Sequence, residues 1–196
     1  MTDRRAFLAT AGAGLGAAFL AARPDQLDAS LKRALDAARA AREGTAPPPL
    51  EVLTAEQAAD IDAIVSQAIP TDDLPGAHEA GVVHFADHGL TTWAAPQKDM
   101  LIAGLAMFNG AVAQRFPGVA RFSLLGPAQQ LEFLHANEQH PFFQQMIFLA
   151  IAGTFSHPDW GGNADKAGWR ILGFEDRYLW QPPFGWYDAR ANGGPN

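Results

Sequence analysis

The sequence predicts an all-α fold, an irregular helical bundle that ends in a Trp-, Gly- and Pro-rich arm without regular structure. Three observations predict it. Apolar residues between Leu50 and Phe155 recur at helical spacing, no stretch alternates as a strand would, and Gly and Pro break the chain at short intervals. After Ser156 the periodicity stops, while the aromatic content rises.

Residues 1–22 read as a twin-arginine signal segment. Arg4-Arg5 is followed by Phe7-Leu8, then by a weakly apolar Ala/Gly/Leu run from Ala9 to Ala22. That run is too short for a comfortable membrane span, and its glycines make a poor helix in lipid. An anchoring N-terminal helix is the alternative reading. Leu20-Ala21-Ala22 is a loose small-residue cleavage site, which leaves open both a removed and a retained signal. The expected location is the periplasm, reached through the Tat translocase, with membrane association through a complex or a retained signal. Tat export carries folded proteins, so a folded, cofactor-loaded companion is expected to travel with the chain.

Residues 23–49 form a helix plus a Pro-rich linker. Leu27, Leu31, Ala34, Leu35 and Ala38 share one face between Gln26 and Glu43, and Gly44-Thr45-Ala46-Pro47-Pro48-Pro49 then stiffens and extends the chain. Residues 50–155 form the helical domain. Thr54-x-x-Gln57 is a capping box opening a helix with Ile61, Ile64, Val65 and Ala68 inward, closed by Pro70. A turn at Thr71–Gly76 leads to a short helix from about His78 to Gly89. Pro96 precedes a longer helix, Gln97 to Phe116, with Met100, Leu101, Leu105, Phe108 and Val112 inward. Gly126-Pro127 starts a fourth helix with Leu131, Phe133 and Leu134, ending near Gln139-His140-Pro141. Phe142 to Phe155 is apolar on nearly every side and is expected to be the central buried helix.

Residues 156–196 are the aromatic C-terminal arm. Four of the 5 Trp lie there (Trp160, Trp169, Trp180, Trp186), with Phe174, Tyr178, Phe184 and Tyr187 among repeated Gly and Pro. Aromatic rings bring large contact area, yet this Gly and Pro density forbids a long helix to bury it. Such a segment packs back on its own domain in part and offers the rest to another chain, where Trp, Tyr and Arg are enriched. The expected interface residues are Trp160, Asn163, Trp169, Arg170, Phe174, Arg177, Trp180, Phe184, Trp186 and Tyr187, with Arg170 and Arg177 as partners for carboxylates.

Charge and composition exclude several functions. The 196 residues carry a net charge of −7 and no basic patch beyond Lys32-Arg33 and the N-terminal Arg pair, so nucleic acid is not an expected partner. Cys is absent, which excludes disulfides, thiolate metal sites, Fe–S clusters and covalent haem attachment in this chain. His84-x-x-x-His88, with Asp87 and Glu79 nearby in sequence, has zinc-compatible spacing but no third ligand of the right pattern. His135 and His140 read as helix-end residues. Ser156 and the His157/Asp159 pair lack the surroundings of a nucleophile. Thr71-Asp72-Asp73 is an Asx-type turn rather than a calcium loop. Gly161-Gly162-Asn163 has the wrong pattern for a phosphate cradle, and Asn163 is free to cap the next segment of the chain. No catalytic, cofactor-binding or metal residue is therefore assigned.

Several stretches together resemble one family. The Arg-pair leader, Leu53-Thr54-Ala55-Glu56, Ile69-Pro70-Thr71-Asp72-Asp73, Gly76 to Val82, Gly161-Gly162-Asn163, Gly168 to Phe174 and Trp180 to Asp188 are similar to the gluconate 2-dehydrogenase subunit 3 family. Residues 23–49 match least. The resemblance implies a small, non-catalytic subunit of a membrane-associated sugar or polyol dehydrogenase. It implies that FAD sits in a large GMC-type partner subunit, that a cytochrome c subunit carrying haem is a possible third component, and that the small subunit's Tat signal exports the flavoprotein. The expected role is support of that partner's export, folding and stability. A free periplasmic sugar-binding protein, stacking aromatic rings on sugar faces, is the alternative.

Overall fold

A computed structural model describes residues 49–177. The Arg4, Arg5, Phe7 and Leu8 signal, the helix expected at 26–43, and Trp180, Phe184, Trp186 and Tyr187 lie outside the described residues. Six helices succeed one another: α1 (Ala55–Ala68), α2 (Val82–Thr91), α3 (Lys98–Arg115), α4 (Pro127–Ala136), α5 (Pro141–Phe155) and α6 (Ala167–Ile171). Short 3-10 turns at Ala95–Gln97, Phe122–Leu124, Pro158–Trp160 and Ala164–Lys166 join them, and no strand occurs among the described residues. The fold is the expected irregular all-α bundle.

α5 is the hub and packs against α1, α2, α3 and α6. Its Phe142, Phe143, Met146, Leu149 and Ala150 are buried, yet Ile151 stands 49% exposed. The helix is central without being covered all round. α1 begins where the sequence places it: Thr54 Oγ1 accepts from Gln57 N–H at 3.2 Å, and Gln57 Oε1 accepts from Thr54 N–H at 2.9 Å. Ile61, Ile64 and Val65 are fully buried, as their spacing requires.

Two expectations are corrected. α2 starts four residues later than His78, because Gly81 adopts a left-handed conformation (φ 71°) that a continuing helix cannot contain. Met100 is 61% exposed rather than inward. The stripe that faces the core is Leu101, Leu105, Phe108 and Val112, and Met100 lies about 100° away from it in the first turn of α3. Leu131 on α4 is likewise exposed, while Phe133 and Leu134 are buried.

Phe108 is the centre of an aromatic cluster. Its ring lies 5.1 Å from Phe133, 5.2 Å from Phe142 and 6.0 Å from Phe122, all at tilted or edge angles. Such pairs add about 0.5–1.5 kcal/mol each beyond the area they bury. Two buried carboxylates tie the elements together. Asp60 of α1 accepts from Asn109 Nδ2 (2.8 Å), from Ser123 N–H (2.9 Å) and from the Ser123 hydroxyl. Asp87 of α2 accepts from the backbone N–H groups of Glu51 (2.7 Å), Val52 (3.0 Å) and Leu53 (2.8 Å). It thereby pins the entering chain to α2.

Candidate partner interface at the aromatic arm

The arm leaves α5 at Phe155 and turns back on that helix through glycines that nothing larger can replace. A Cβ on Gly162 would lie 2.2 Å from the Gly153 carbonyl oxygen, and one on Gly168 would lie 1.9 Å from that of Thr154. Gly161 is left-handed at φ 87°, and Asn163, Asp165 and Lys166 come next at φ 48°, 50° and 58°. Three non-glycine residues in this region within four positions cost free energy that the surrounding bonds must offset. Those bonds are present. Asn163 N–H donates to Gly153 O (2.8 Å) and Ala164 N–H to Ala80 O (3.0 Å), tying the turn to α5 and to the loop before α2.

Asn163 itself is fully buried. Its Nδ2 donates to Ser156 O at 2.9 Å, and its Oδ1 accepts from Gly168 N–H at 2.8 Å, in the first turn of α6. It satisfies one N–H of α6 from outside the helix, whose N-cap position is held by Lys166. With both polar ends bonded internally, this side chain stabilises the arm's own fold. Trp160 is half-buried against the core. Trp169 is also half-buried; its Nε1 donates to Phe155 O at 3.3 Å, and its ring meets His157 at 5.5 Å and Phe174 at 5.3 Å edge-on.

Beyond this layer the arm is open. Leu172 is 64% and Phe174 48% exposed. With Ile151 on α5 they are among the larger apolar side chains left in solvent. Charged residues flank Leu172 and Phe174 along the chain. Lys166 pairs with Asp176 at 2.7 Å, Arg177 pairs with Glu175, and Arg170 Nη1 donates to Asp165 O at 2.9 Å. Arg170 and Arg177 are thus exposed but already engaged. The arrangement is an exposed apolar ledge, Leu172 and Phe174, that follows a strained turn. It can present a docking surface.

The other sequence candidates are separated by the fold. His84 and His88 share α2, but Asp87 points to the entering chain and its oxygens are occupied. Burial, and next the nearby His88, hold the His84 imidazole below its ordinary value, with Asp87 and Asp62 opposing. Glu79 is taken up elsewhere. Its carboxylate accepts from Thr71 Oγ1 (2.7 Å) and Gly76 N–H (2.9 Å), and the Thr71 bond is the first cause of its lowered pKa. Among the described residues, no group of three or more His, Cys, Asp or Glu is gathered for a metal ion. His140 Nδ1 accepts from Phe142 N–H at 3.2 Å and so caps α5, while His135 meets Glu138 at 3.0 Å. His157 Nδ1 accepts from Asp159 N–H at 3.3 Å and opens a 3-10 turn. Asp72 Oδ1 accepts from Leu74 N–H at 2.8 Å, the Asx-type turn expected there.

Sequence reasoning missed one surface. A small apolar groove of about 30 Å³ lies between α2, the start of α3 and α5, with Trp93 on its wall. Trp93 lies outside the aromatic arm, and the residues that join it in the groove come from three separate helices, so no local pattern announced the site.

No curated protein and no solved structure matches the chain. Residues 55–176 match a family described as gluconate 2-dehydrogenase subunit 3. The match runs from the first residue of α1 to five residues past the end of α6, so it includes every described helix and the ledge. The description is that of one subunit of a dehydrogenase complex. The chain belongs to the gluconate 2-dehydrogenase subunit 3 family.

Proposed function

We propose that this chain is the non-catalytic small subunit of a periplasmic FAD-dependent, GMC-type sugar or gluconate dehydrogenase, supporting Tat export, folding and stability of the flavoprotein subunit. The observation that carries the reading is the family match across residues 55–176. The arm supports it. Leu172 and Phe174 are exposed just after a turn that hydrogen bonds from Asn163 and Ala164 tie to α5 and to the loop before α2. Apolar side chains preorganised in this way lose little entropy on association. Binding only the folded flavoprotein stabilises it by RT ln(1 + [L]/Kd). FAD, and haem c where a third subunit is present, belong to the partners in this reading. The Arg4-Arg5 leader supplies the export signal for the pair.

The test is co-purification of the tagged chain with the co-expressed flavoprotein. Leu172→Asp with Phe174→Asp places charge on the ledge without entering the core. We expect that variant to fold as wild type and to lose at least about tenfold of the retained FAD absorbance, given that buried interface anchors contribute about 2 kcal/mol or more. Equal recovery of flavoprotein by both forms would remove the ledge from the interface. Failure of wild type to retain any would contradict the subunit reading.

A further inference from the structure

Phe174 stands in solvent because the ending of a helix holds it there. α6 closes at Gly173, which is left-handed at φ 63°. Two bonds accompany that turn: Phe174 N–H donates to Trp169 O at 2.8 Å, and Gly173 N–H donates to Arg170 O at 3.1 Å. Together they are the Schellman ending of a helix, in which an apolar residue past the glycine packs back on the last turn. Phe174 does so, its ring edge-on to Trp169 at 5.3 Å, and it still keeps 48% exposure. Nothing lies within 4 Å of the Cβ that Gly173 lacks, so the glycine is required for its backbone conformation alone. An aromatic ring preset in this way loses little freedom when a partner closes over it.

Charge narrows what can receive it. Residues 49–163 hold 12 Asp/Glu against 3 Lys/Arg, a net −9. Residues 164–177 hold 3 against 3, a net of zero, in only 14 positions. Each of those three cations is engaged within the segment itself: Lys166 with Asp176 at 2.7 Å, Arg177 with Glu175, and Arg170 with Asp165 O at 2.9 Å. Cations neutralised internally call for no carboxylate across an interface. A charged patch on the partner would be desolvated here without a counter-charge to offset the cost.

We infer that the ledge enters an uncharged, apolar hollow on the flavoprotein subunit, with Phe174 as the anchor and Gly173 as the residue that positions it. The inference rests on the subunit reading above and adds the chemistry of the partner's surface. Aromatic anchors in desolvated pockets carry much of the binding energy at interfaces, and apolar burial is not screened by salt.

The test is the affinity of the full-length chain for purified flavoprotein, measured by biolayer interferometry from about 50 to about 500 mM NaCl. We expect Kd to change by less than about twofold over that range, and Arg177→Gln to bind within about twofold of wild type. Gly173→Ala disfavours the left-handed turn and should weaken binding by about fivefold or more, whereas Gly173→Asn, which tolerates it, should restore most of the affinity. Weakening by about tenfold or more at high salt, or an equal loss with Arg177→Gln at low salt, would overturn the uncharged contact while leaving the complex standing. Wild-type affinity in Gly173→Ala would overturn the positioning role. No complex at any salt concentration would overturn the subunit reading, and this inference with it.

Discussion

At the scale of single residues, the carboxylates do more of the structural work than the histidines that first draw the eye. Asp87 is buried and receives three consecutive backbone N–H groups, so its removal strands three donors at once. Asp87→Ala is expected to lower stability by about 3 kcal/mol and to release the amides of residues 51–53 to exchange, read by denaturant unfolding and hydrogen exchange. His84 gives a pH dependence with a defined sign. Its folded pKa lies below the ordinary value of about 6.5, so the folded state binds the proton less readily than the unfolded one. Its contribution is fully present above the unfolded value and is lost as pH falls through the lowered one. Thermal stability should therefore decline on going from pH 7 towards 5, and His84→Gln should flatten that slope; an unchanged slope would show that His84 does not titrate against folding. Neither Asp87's role nor His84's burial was legible in the sequence, where His84, Asp87 and His88 read as one cluster. His84 and His88 stand one turn apart on α2, whereas the Asp87 oxygens are taken by the entering chain, and that depends on a segment far away in the sequence.

At the scale of elements, the glycines of the arm decide the packing. Gly162 and Gly168 face carbonyl oxygens closer than any Cβ can approach. Gly168→Ala is expected to cost about 3 kcal/mol or more, as a clash with backbone has no cheap relief. Gly110, exposed in α3 with nothing within 4 Å of its missing Cβ, gives the contrast: Gly110→Ala should stabilise by about 0.5–1 kcal/mol. Melting both variants beside wild type checks the pair. The helices themselves were largely legible. Capping by Thr54 and Gln57, the stop at Pro70, and the stripe of Leu101, Leu105, Phe108 and Val112 are local signals that survive folding. The start of α2 and the exposure of Met100 were not, because a left-handed Gly81 and the limits of a neighbour's coverage are tertiary facts. The arm was legible in composition but not in shape. Gly-Gly-Asn marks a turn in any sequence; that it inserts beside Gly153 and buries Asn163 depends on the surface already built by α2 and α5.

At the scale of the whole molecule, the bundle is a body with the faces of an accessory subunit. The Leu172/Phe174 ledge follows α6, and the entering chain is fixed to α2 by Asp87. Family membership was legible from motif order along the chain, whereas the ledge that would bind a partner needed the fold. The proposed escort role is tested most directly by co-expressing the tagged chain with the flavoprotein and measuring FAD absorbance in the periplasmic fraction, comparing wild type with Arg4→Lys/Arg5→Lys. FAD-loaded flavoprotein recovered with the wild-type chain and absent with the variant is the predicted result. A colourless, monomeric chain in both cases would contradict the account.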